Sequence, residues 1–164
     1  MRIYIAASFR HLNGARLLGS ELRRLGCEIL DWTEMATPPP GLTAAPRRIW
    51  MDTDKDGGEV FAFCHAACLN ADLVIYYGES GQDAAVEVGL AAASGTPVLG
   101  IRGPLESPGL MLHGAVNLWV DGAELAIAVV QAALKLRGSQ GGSPAPADNA
   151  QALAARLFAS SQSQ

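Results

Sequence analysis

ADLVIYYGESGQDAAVEVGLAAASGTPVLGI, residues 71–101, reads as strand, polar loop, helix, turn and strand. Residues 73–77 are a short apolar run rich in β-branched and aromatic side chains, as in a strand buried on both faces. Gly78, Glu79, Ser80 and Gly81 break that run. Residues 84–93 are nearly all small or apolar, and too rich in alanine for a strand. Gly95, Thr96 and Pro97 end the helix, and residues 98–101 resume β character. Between Asp83 and Arg102 the only charged residue is Glu87. A carboxylate on an apolar helix is costly if buried without a partner. Glu87 is therefore compensated or used, unless it points to water.

Outward from this unit the same alternation repeats. Residues 2–7 read as a first strand with Ile3, Tyr4 and Ile5 as its core. Residues 12–25 are helical, with Ala15, Leu18, Leu22 and Leu25 on one face and Gly26 suited to the position after the helix. Residues 27–32 form a second strand. The run Thr37-Pro38-Pro39-Pro40-Gly41 is incompatible with regular structure. Pro46 suits the first turn of a helix that carries Ile49, Trp50 and Met51, is interrupted at Gly57-Gly58, and continues over residues 60–69. Residues 117–120 are the fifth strand, and residues 123–136 the closing amphipathic helix.

The βαβ alternation predicts an α/β fold. We expect a doubly wound, five-stranded parallel sheet of the Rossmann-like kind, in the flavodoxin-like order 2-1-3-4-5. That order places the ends of strands one and three beside the topological switch point, where ligands bind. The Ser8–Arg10 turn and the segment from Ser80 to Glu87 should then meet at one crevice. Residues 1–137 form the expected domain. Residues 138–148 (GSQGGSPAPAD) are linker-like, and residues 149–164 are a tail with a short helix carrying Leu153, Leu157 and Phe158. Because the sheet and its last helix are complete by Leu136, residues 138–164 are expected to be dispensable for folding.

The chain has 164 residues, 49% apolar and 17% charged, enough for one domain with a single core. No run approaches the length of a membrane span, and MRIYIAASFR reads as a strand, not a signal peptide. A net charge of −4 without a basic cluster argues against polymeric nucleic acid as partner. Three cysteines without framework spacing suggest a reducing cytoplasm.

Ser8, Phe9 and Arg10 lie between a strand and a helix N-terminus. Backbone amides and the helix dipole favour an anion there, and Arg10 can add bidentate contacts to a phosphate. Equally, Ser8 is a cap and Arg10 a surface charge. Ser80 and Asp83 have capping-box spacing. Asp83 and Glu87, one helical turn apart, share a face, and each raises the cost of ionising the other. Cys64 and Cys68 share a helix face with His65 between them; buried cysteine is the simpler reading, because a metal needs further ligands. No metal or cofactor is expected. Neither GxxxxGK[ST] nor a GxGxxG after the first strand is present.

With these residues in view, the chain resembles the nucleoside 2-deoxyribosyltransferase family, which includes the 2′-deoxynucleoside 5′-phosphate N-hydrolases. The resemblance spans about residues 1–121. IYIAASFR resembles the family's first strand and turn, and Ser8-Phe9-Arg10 is most like the nucleotide hydrolases, which hold a 5′-phosphate there. Residues 71–101 resemble the signature in which the Glu of an E-x-G step is the nucleophile, a step that Glu87-Val88-Gly89 occupies. GLMLHGAV resembles a segment lent to a neighbouring subunit's site, so the resemblance implies that Met111 packs on the sugar or base across a homodimer. The chain also departs from the family. Cys64 stands where the family usually carries an Asp near the leaving base, with Glu59 and Asp56 the nearest upstream carboxylates. Gly81 replaces a hydroxyl or carboxylate, with Ser80 or Asp83 as substitutes, and Gly109 replaces a Ser or Asn.

Three functions compete at this level. One is an enzyme that cleaves or transfers the N-glycosidic bond of a nucleoside or nucleotide, with Glu87 catalytic and Ser8, Phe9, Arg10, Ser80, Gly81, Asp83 and Met111 binding substrate. Another is a catalytically weak nucleotide-binding or sensing domain, which Cys64 favours. The third is an interaction module whose working part is the C-terminal helix.

Overall fold

The computed structural model describes residues 1–35, 55–138 and 149–159. The proline-rich run, Pro46 and the helix expected around Ile49, Trp50 and Met51 lie outside these residues, as does nearly all of the linker-like segment.

Five strands form the sheet: β1 (Arg2–Ala6), β2 (Glu28–Leu30), β3 (Leu73–Tyr77), β4 (Val98–Arg102) and β5 (Leu118–Asp121). All neighbouring pairs are parallel, in the order β2-β1-β3-β4-β5. Ile3, Tyr4, Ile5 and Ala6 are buried, as are Leu73, Val74, Ile75 and Tyr76. Central strands covered on both faces need such continuous apolar runs.

Six α-helices accompany the sheet among the described residues: α1 (Leu12–Arg24), α2 (Lys55–Asn70), α3 (Gln82–Ala93), α4 (Leu110–Ala115), α5 (Ala123–Gly138) and α6 (Asn149–Ala159). Helix α1 buries Ala15, Leu18 and Leu22 and packs beside α5. It ends at Gly26, whose φ of 85° is the left-handed conformation expected after a helix. Helices α2 and α3 pack together, and α3 lies over β1 and β3. Register fixes what each face sees: Tyr4 pairs with Val74, and Ala6 with Tyr76.

Two expectations change, and two elements are added. Helix α2 runs unbroken through Gly57-Gly58. Glycine costs only about 1 kcal/mol in a helix, and Ala67 and Cys68, with Val60, Phe63 and Cys64 packed beside them, hold this one to the core. The second strand is shorter than expected, because Asp31 turns the chain: its carboxylate accepts from Thr33 N at 3.0 Å, and Trp32–Glu34 form a 3-10 turn. Trp32 is buried there, with its indole N–H on Ile5 O at 2.9 Å. Residues 110–115 form a short helix. The C-terminal helix α6 docks on α5 and β5, with Ala154 and Leu157 fully buried. Arg137 of α5 lies 5.3 Å above the Phe158 ring.

No helix among the described residues is long and apolar enough to cross a membrane.

Candidate active site

The chain leaves β1 and β3 on either side of the switch point, and the two departing segments touch. The backbone N–H of Ser8 donates to Ser80 Oγ at 3.1 Å. Ser80 Oγ in turn donates to Tyr77 O at 2.5 Å. His11 Nε2 lies 3.2 Å from Glu79 O. The segments expected to meet at the switch point are thus joined by direct hydrogen bonds.

Glu87 projects from α3 toward β1. Its Oε1 accepts a 2.6 Å hydrogen bond from the Tyr4 hydroxyl. Its Oε2 is buried and has no hydrogen-bond partner among the described residues. Burial pushes the carboxyl up to about 7, and the negative charge of Asp83 one turn earlier adds to the rise. The Tyr4 hydroxyl bond and the neighbouring Cys64 thiol favour the ionised form and oppose it. At neutral pH this group is therefore poised between carboxylic acid and carboxylate. Glu87 does not simply point to water.

Tyr4 itself is fully buried. Burial, then the charge of Glu87, pushes its hydroxyl far above the usual range, so it stays a donor. Cys64 sits in the same cluster, with its thiol pushed up to about 11 by burial and by the neighbouring carboxylates. Cys68 is fully buried and pushed up to about 12 by burial, then by Glu87 and Cys64. Both thiols are neutral and poorly nucleophilic. Among the described residues no group of three His, Cys, Asp or Glu side chains is placed to hold a metal ion.

Ser8 makes no side-chain cap to the turn that follows it. Its amide is taken by Ser80, and its Oγ is buried without a partner among the described residues. Phe9, 41% exposed, packs edge-on against Trp32 with ring centroids 5.2 Å apart. Arg10 is exposed. The capping box of Ser80 and Asp83 does not form. Gly81 takes the cap position without a side-chain bond, and the Ser80 hydroxyl turns back toward β3. Gly81 and Asp83 are exposed at the start of α3. Met111 is 86% exposed on α4, a helix that packs along α3. Glu59 is exposed one turn or so before Cys64 on α2.

Sequence reasoning placed Tyr4 in the core and missed its hydrogen bond to Glu87. The available signal was a hydroxyl in an otherwise apolar central strand, since a buried tyrosine O–H needs an acceptor.

The sequence matches no protein-family model and no curated protein. Solved structures do match the fold. One is a 2-deoxyribosyltransferase from the psychrotolerant bacterium Bacillus psychrosaccharolyticus, at 18% identity and a TM-score of 0.52 over 77% of this chain and 90% of that one. Another is a CMP N-glycosidase from Clostridium botulinum, at 16% identity and a TM-score of 0.51 over 79% of this chain and 98% of that one. At such identities the likeness establishes a shared Rossmann-like fold.

Proposed function

We propose that this protein cleaves or transfers the N-glycosidic bond of a (deoxy)nucleoside or nucleoside 5′-monophosphate, with Glu87 as nucleophile. The observation that carries this reading is the Glu87 carboxyl: buried at the switch point, held through one oxygen by Tyr4, and unpartnered at the other among the described residues. The fold shared with a deoxyribosyltransferase and a CMP N-glycosidase supports the same chemistry.

In the proposed reaction a Glu87 oxygen bonds to the anomeric carbon as the bond from that carbon to the base nitrogen breaks. The bonding pair leaves with the base, and a glycosyl ester of Glu87 remains. Water, or a nitrogen of a second base, then attacks the same carbon and releases Glu87, so configuration is retained. Only the ionised form attacks, so the rate should rise with pH through about 7. The Tyr4 hydroxyl holds Oε1 and so fixes which way the carboxylate faces. Reaching the buried Oε2 requires its cover to shift as substrate binds. In this reading Ser8 and Arg10 take a 5′-phosphate beside Phe9, and Ser80, Gly81 and Asp83 contact the substrate from the other side of the switch point.

A second reading is favoured by Cys64. A thiol pushed up to about 11 is a weak acid beside a leaving base that normally needs a proton, and the loss of acid help costs roughly 10²–10⁴-fold in rate. The alternative is a nucleotide-binding or sensing domain that turns over slowly or not at all.

Incubation with nucleosides, deoxynucleoside monophosphates and NAD, followed by detection of free base, separates the two. Release of base from one class, with monophosphates outcompeting nucleosides, supports the enzyme. Binding of a monophosphate without release supports the sensing domain.

A further inference from the structure

The loop between β3 and α3, which carries Ser80 and Gly81, is held from the β4–α4 side by the carboxylate of Glu106. Glu106 lies in the segment between β4 and α4. Its Oε2 accepts the backbone N–H of Glu79, and its Oε1 accepts the Tyr76 hydroxyl at 3.2 Å. The same hydroxyl lies 3.5 Å from the carbonyl oxygen of Ser80. Glu79 returns the contact, because its Oε1 accepts the backbone N–H of Leu105 at 2.7 Å. Two loops that carry no regular structure thus clasp each other through reciprocal carboxylate-to-amide bonds.

The clasp leaves no slack. Glu79 adopts φ 56°, the left-handed region that a residue other than glycine enters only when its surroundings hold it there. Gly78 and Gly103 face each other across the contact. A Cβ on Gly78 would overlap the Gly103 backbone, and one on Gly103 would overlap the Glu79 carboxylate. The clasp therefore depends on Glu106 for the donors it satisfies and on two glycines for the close approach. What it holds is functional in the reading above: Glu79 O meets His11, and Ser80 Oγ receives the Ser8 amide.

We infer that Glu106 is a positioning residue: by fixing the β3–α3 loop it sets Ser80, and through Ser80 the Ser8 turn, in the geometry that receives substrate. This rests on the N-glycosidic reading. Glu106 does not touch Glu87 in this account, so it acts on binding and not on the attacking group.

Amide hydrogen exchange and steady-state kinetics on Glu106→Ala, Glu106→Gln and Tyr76→Phe test this. Glu106→Ala should raise KM about tenfold and leave kcat within about threefold, the loss of one or two charge-assisted bonds. The pH midpoint of the rate, set by Glu87, should not move. Exchange at the Glu79 and Ser8 amides should accelerate while protection along α3 is kept. Glu106→Gln, which retains an acceptor for the Glu79 amide, should recover most of the KM. Tyr76→Phe, which removes the Oε1 contact and the hydroxyl beside Ser80 O but leaves the bond from the Glu79 amide to Glu106, should move KM the same way by less. Unchanged exchange at Glu79 in Glu106→Ala, or a fall in kcat at constant KM, would overturn the assignment. Faster exchange with no base release even by the wild type would overturn the reaction and not the clasp.

Discussion

Tyr4 and Glu87, 83 residues apart in sequence, are joined by a 2.6 Å hydrogen bond from the phenolic hydroxyl to Oε1. Tyr4 comes from β1 and Glu87 from the helix after β3, so the bond spans the two strands that flank the switch point. A carboxylate with one oxygen engaged and the other without a partner among the described residues is oriented without being neutralised.

Removing that donor should weaken the reaction. Tyr4→Phe keeps the buried ring and deletes one bond to a charged group, which is worth about 1.5–3 kcal/mol, or roughly ten- to a hundredfold in kcat. The Tyr4 bond holds the Glu87 carboxyl down, so without it the pH midpoint of the rate should move upward from about 7. A pH–rate profile checks both. A profile superimposable on that of the wild type would show that Tyr4 has no part.

Glu87 also shapes stability. Its carboxyl titrates at about 7 in the folded chain against 4.5 as its ordinary value. Below pH 4.5 both states are protonated and the group costs nothing. As pH rises the unfolded chain ionises first, so stability falls until the folded group ionises near 7, and the loss persists above. Glu87→Gln should therefore stabilise the protein at pH 8 by about 2–3 kcal/mol and change little at pH 4. Denaturant melts at both values measure it. A variant less stable than wild type at pH 8 would mean that burial does not penalise this carboxylate.

These two residues mark where the sequence was legible and where it was not. The strands showed as continuous apolar runs, and Glu87 stood out as the one charge in a small-residue helix. The order 2-1-3-4-5 followed from the alternation of elements. Tyr4 was read as core because nothing local distinguishes a strand tyrosine with a long-range partner from one without. The Ser80–Asp83 spacing looked like a capping box, yet the helix begins one residue too late for it. The Ser80 hydroxyl instead meets Ser8, a contact between strands that local spacing does not encode. Glu106 gave no signal for the same reason.

The C-terminal helix was expected to be dispensable, and its packing predicts otherwise. Leu157 is fully buried and α6 lies against α5 and β5. Leu157→Ala should cost about 2–5 kcal/mol, and truncation after Arg137 should lower the melting temperature by exposing the same face. A truncated chain as stable as the whole would show that α6 adds nothing to the domain.

Leu105, Leu110 and Met111 are 84%, 86% and 86% exposed and lie in or just before α4. Exposed apolar side chains suit an interaction surface, and we propose a two-fold homodimer as its use. Sedimentation at micromolar concentration should show a dimer, and Met111→Asp should weaken it and lower activity. A wild-type monomer with full activity would contradict the proposal.

The central claim is that Glu87 forms the bond to the sugar. Free base released from a deoxynucleoside monophosphate, by wild type and Glu87→Ala at equal concentration and at pH 8, tests it most directly. We expect release by the wild type, and none above background from a variant with an unchanged circular dichroism spectrum. Equal rates of release from the two proteins would contradict the account.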